Sequence, residues 1–178
     1  MRMDFRGVLL FIITVVVVII VGAHTIAADA DPEACPRTLP ANIDLPRDLE
    51  RMLANIYRGS ATFRGQCDRI AAAGTLSVKL QLDTNIPGSC MAFTRFQRKG
   101  HAVYADVHLP PSSTMMAQLV GHEFEYIVEQ LEGLDLRMLA RVRKSGVYQT
   151  SFEVYESTRA QRVGRSVALE VAMPQTAN

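Results

Sequence analysis

Between Thr114 and Leu131 apolar residues recur at helical spacing, and a glutamate stands in their midst. At about 100° per residue, Met115, Met116, Leu119, Val120, Tyr126, Ile127 and Leu131 share one arc of about 160°. Glu123 lies near the middle of that arc, with His122 and Tyr126 at one edge. Gln118, Gly121, Glu125, Glu129 and Glu132 fall on the opposite side and read as a solvated face. An unpaired carboxylate in a core-facing stripe costs several kcal/mol, or stays protonated through a raised pKa. Glu123 therefore needs a partner: a metal-bound water, backbone amides, or an arginine such as Arg137, Arg141, Arg143 or Arg159.

The rest of the chain supplies an interior for this helix. Pro46–Tyr57 reads as a helix with Leu49, Met52, Leu53 and Ile56 on one face, Pro46 being its first residue. Gly59-Ser60 breaks it, and Ala61–Ala73 is a second helix closed by Gly74. Thr75–Asp83 alternates Leu76, Val78, Leu80 and Leu82 with Ser77, Lys79 and Gln81, the pattern of a half-buried strand. Met91–Gln97 and His101–Leu109 are two more strands, joined through Arg98-Lys99-Gly100, and Pro110-Pro111 ends the last. His101 and His108, seven apart on that strand, point to opposite faces and share no metal site. Ser112 or Ser113 caps the Thr114–Leu131 helix. Helices over Leu134–Lys144 and Phe152–Val171 complete the order.

Two helices, three strands and three helices make an α+β fold, a small antiparallel three-stranded sheet packed against helices. On the last helix Glu156 falls in the apolar arc with Ala160, Val163 and Val167. Two helices would thus each aim one glutamate, Glu123 and Glu156, at a shared interior, and Ala160 and Gly164 would let them approach closely.

The N-terminus has the layout of an export signal. Arg2 and Arg6 precede an apolar run from Val8 to Ala23, and small residues follow at Ala23, Ala27 and Ala28. Residues 1–28 are a signal peptide or an N-terminal membrane anchor, 29–45 a proline-rich linker, and 46–174 one domain. The domain is expected outside the cytoplasm: periplasmic, secreted, or anchored to the membrane facing outward. From residue 29 onward 17 basic and 17 acidic residues remain. No basic cluster stands out against that balance, which leaves nucleic-acid binding without support. Export permits a disulfide between two of Cys35, Cys67 and Cys90. Cys67–Cys90 is favoured because both flank the sheet, with Cys35 as competitor.

Gly121-His122-Glu123-Phe124-Glu125-Tyr126 reads as the zinc-hydrolase motif H-E-x-x-H with its last histidine replaced by tyrosine. Together with a downstream Tyr155-Glu156-Ser157 step, these residues resemble the gluzincin branch of the zincin metallopeptidases. They also resemble a group of uncharacterised exported bacterial proteins with a G-H-E-x-x-H helix. The resemblance covers the C-terminal half. It implies zinc as cofactor, His122 and Glu156 as metal ligands and Glu123 as general base, with Tyr126 in the place of the second histidine. The implied reaction is peptide-bond hydrolysis, and the strand His101–Leu109 would align the substrate backbone. A neutral phenol, with a pKa of about 10, is a poor zinc ligand. The expectation is a catalytically degenerate metallopeptidase homologue; the alternative is a non-enzymatic envelope or secreted domain that binds a peptide or protein partner. In that alternative His122 and Tyr126 are ordinary packed side chains.

Overall fold

The computed structural model describes residues 39–87 and 90–173. The apolar run Val8–Ala23, Cys35 and the expected signal segment lie outside them. No described helix is long and apolar enough to cross a membrane.

The described chain runs β1 (Ile43–Asp44), α1 (Arg47–Gly59), α2 (Ala61–Ala72), β2 (Leu76–Leu82), β3 (Phe93–Lys99) and β4 (Ala102–Leu109). It continues with α3 (Met116–Leu131), α4 (Leu136–Leu139), β5 (Val147–Ser151), β6 (Val154–Ser157) and α5 (Thr158–Ala172). The class is α+β, as the patterning predicts. The sheet is not the expected three-stranded antiparallel one. It has four strands in the order β1-β2-β4-β3, with β1 and β4 both parallel to β2 and only β3 antiparallel.

Two physical reasons account for the difference. The connection from β2 to β3 is long enough to carry β3 past the place beside β2, so that β4 takes that place. A tight hairpin at Gly100, whose φ is +60, then pairs β3 with the far side of β4. β1 is only two residues long and lies in the stretch read as a linker. Its pairing with Val78 and Lys79 shows that the domain starts before Pro46.

One face of the sheet carries Val78, Leu80, Ala105, Val107 and Leu109 into the core. There they meet Leu53, Phe63, Val120, Phe124 and Ile127 from α1, α2 and α3. The other face is polar, and His108 is covered there by stacking on Phe93 and by a 2.8 Å contact with Asp83.

The C-terminal third departs most from expectation. Residues 147–157 form an antiparallel hairpin, and α5 starts at Thr158 rather than Phe152. Ser157 sets that start: its hydroxyl accepts from the backbone amides of Arg159 and Ala160. The helix expected over Leu134–Lys144 shrinks to four residues.

The favoured disulfide does not form either. Cys67 and Cys90 are both free thiols. Cys67 is fully buried, and burial pushes its pKa up to about 12.

Candidate functional site

α3 is the central helix, and α5 packs closely along it. Two glycines permit the approach. A Cβ on Gly164 would sit 2.6 Å from the carbonyl oxygen of Gln118 and 3.1 Å from Cβ of His122. A Cβ on Gly121 would meet Val167 at 2.7 Å. This contact holds β6, which runs directly into α5, against the His122 side of α3.

His122, Glu123, Tyr126 and Glu156 come together there. Nε2 of His122 lies 3.6 Å from Oε2 of Glu156. The His122 and Tyr126 rings, one helical turn apart, meet edge to face with centroids 4.8 Å apart. Glu123 is 3 % exposed, and its Oε2 accepts a 2.7 Å hydrogen bond from Oγ1 of Thr94 on β3. The Tyr126 hydroxyl donates to the carbonyl of Tyr155 at 3.2 Å.

Burial dominates the electrostatics. It pushes the Glu123 carboxyl up to about 8; the Thr94 hydrogen bond opposes this and the charge of Glu156 adds to it. Burial also lowers the His122 pKa, against the attraction of Glu156. The Tyr126 phenol is raised, first by burial and then by the charges of Glu156 and Glu123. At neutral pH the cluster therefore favours a neutral imidazole, a neutral phenol and a largely protonated Glu123.

Glu156 reaches this place from a strand, not from the helix that its periodicity suggested. Among the described residues Glu123 pairs with no arginine: Arg159 binds Glu125 and Glu132 instead. Thr94 was not singled out in the sequence. The signal for it is the inward alternation of Thr94 and Phe96 on β3, with Thr94 opposite buried Val107.

The expected solvated face of α3 is also corrected. Glu125 and Glu129 are 4 % and 2 % exposed. Nε of Arg159 donates to Glu125 at 2.7 Å, Nε2 of Gln66 donates to it at 2.8 Å, and the Ser157 hydroxyl donates to Glu129 at 2.6 Å. Covered by α2 and α5 on this side and by the sheet on the other, α3 has polar groups buried on both flanks.

Zinc fits this donor set only in part. A tetrahedral zinc with bonds of about 2.0–2.2 Å places two donors about 3.4 Å apart, close to the His122–Glu156 separation. The third position is Tyr126, whose hydroxyl is engaged by a backbone carbonyl and whose proton is held more tightly than usual. Among the described residues no cluster of three or more His, Cys, Asp or Glu side chains is arranged to hold a metal ion. Two converging donors do not make a closed zinc site.

The strand expected to align a substrate is also misplaced. β4 is hydrogen-bonded on both sides, by β2 and β3. β3 is an edge strand, and it carries Thr94 to Glu123. No protein-family model matches this chain, and no curated protein and no solved structure matches it.

Proposed function

We propose that this chain is an exported zincin-like domain whose catalytic centre has degenerated. The observation that carries the reading is the meeting of His122 and Glu156 beside Glu123, with Tyr126 one turn along the same helix. That is the arrangement of a gluzincin-like site lacking one ligand. The placement of an antiparallel edge strand next to Glu123 supports it further. With a neutral phenol at the second ligand position, zinc affinity falls by a hundredfold or more for a loss of about 3 kcal/mol, and turnover falls with it. The retained activity is binding of an extended peptide along β3, with Glu123 as a hydrogen-bonding group and not as a working base.

Elemental analysis and competitive zinc titration of the purified protein test this. The wild type is expected to hold zinc weakly and below one equivalent. Tyr126→His is expected to bind one equivalent, and adding Glu156→Ala to it should abolish that gain. Tight stoichiometric zinc in the wild type would overturn the degeneration; a folded Tyr126→His protein without zinc would overturn the zincin reading.

A further inference from the structure

We propose that the segment after α3 docks the protein onto an anionic phospholipid surface. Residues 137–144 read Arg-Met-Leu-Ala-Arg-Val-Arg-Lys, four basic side chains in eight with no acidic one. From residue 29 onward the rest of the chain carries 13 basic and 17 acidic residues, so positive charge is concentrated here. This cluster is hidden in the overall balance and emerges only when the segment is taken alone.

Among the described residues, the side chains of Arg137, Arg141, Arg143 and Lys144 make no hydrogen bond or ion pair. The nearby carboxylate of Asp135 is spent on capping α4, accepting from the Met138 amide at 2.9 Å. Large apolar side chains project from the same region. Met138 is 63 % exposed, Val142 55 %, and Phe152, at the tip of the β5–β6 hairpin, 86 %. No residue of α4 is fully buried. Exposed apolar groups among unpaired cations are the signature of an interfacial membrane contact.

Two of these cations and the aromatic tip share one cleft. Arg137, Arg141, Phe152 and Tyr155 line it, with Glu153 its sole acidic group. A lipid phosphate can take both guanidinium groups there while Phe152 enters the headgroup layer. The cross-strand pair Gln149–Tyr155 lines this cleft, whereas the pair Tyr148–Glu156 lies on the other face of the ribbon, toward His122. The docking surface is therefore separate from the candidate zinc site and does not depend on it.

The chain has no tryptophan, so Phe152→Trp gives a sole fluorescent reporter in the full-length protein. It should shift to the blue and gain protection from acrylamide on phosphatidylcholine vesicles containing phosphatidylglycerol, but not on phosphatidylcholine alone. Because each basic group contributes about 1 kcal/mol, Arg137→Glu with Arg141→Glu should raise the lipid concentration needed at least about tenfold. A Leu169→Trp reporter on α5 should stay unshifted. The proposal is overturned by equal shifts on both vesicle types, by a shift at position 169 as well, or by no shift. It is also overturned if inorganic phosphate or an acidic peptide without vesicles reproduces the shift, which would mark a soluble-anion site or an acidic protein partner.

Discussion

The imidazole of His122 and the carboxylate of Glu156 meet at 3.6 Å although one rises from the middle of a helix and the other from a hairpin strand. The contact depends on how closely α5 can lie against α3, because β6 leads straight into α5 through the Ser157 cap. Stability and protonation in this region therefore trace back to the helix pair.

Gly164→Ala is expected to be among the most damaging small substitutions. Its new methyl would meet a backbone carbonyl, which cannot rotate away. Overpacking of this kind costs about 1–3 kcal/mol. Urea unfolding should show a loss toward the upper end of that range, whereas Gly65→Ala, with open space around its Cβ, should lose no stability.

Arg159→Ala should cost about 3–5 kcal/mol, because it leaves Glu125 buried without its charge partner. Arg69→Ala removes only an exposed pairing to Glu132 and should cost less than about 1 kcal/mol. Equal losses in thermal unfolding would contradict the buried role of Glu125.

The protonation of Glu123 makes stability depend on pH. Its folded pKa of about 8 lies above the ordinary 4.5, so between these values the folded state binds the extra proton. Stability from this group is therefore full below pH 4.5 and is lost as pH rises toward 8. The loss is at most roughly 5 kcal/mol by linkage. Glu123→Gln keeps the hydrogen bond without the ionisation. Its melting temperature should fall less than that of the wild type between pH 5 and 9; parallel curves would contradict the raised pKa.

Native alkylation should modify Cys90 and spare Cys67. The first is half-buried and the second has no exposed surface and a thiol pKa of about 12. A mass two hydrogens lower on a peptide pair joining Cys67 to Cys90 would contradict the two free thiols.

Much of the fold was legible where one period dominates. The alternation from Leu76 to Leu82 and the helical stripe of α3 both carry through to the structure. The parallel pairing of β2 with β4 was not legible, because alternation states which side chains face inward and not which strand lies alongside. The β5–β6 hairpin was missed because Glu156, Ala160, Val163 and Val167 also fit a helical period. The β-branched and aromatic residues Val147, Tyr148, Val154 and Tyr155, and Ser157 as a cap, were the competing signals.

The site was legible in its members more than in its reasons. Glu123 is buried as its position in the stripe required. Glu125 and Glu129 followed no such rule: a helix covered on both sides buries its polar flank wherever a neighbour supplies donors, and Gln66, Ser157 and Arg159 lie far away in sequence.

The most direct test of the central claim is the titration of the His122 ring, followed by NMR in metal-free protein. Its midpoint should lie below the ordinary 6.5, and Glu156→Gln should lower it further, since the Glu156 charge favours the cation. A midpoint at 6.5 that is identical in both proteins would show that the two side chains do not meet.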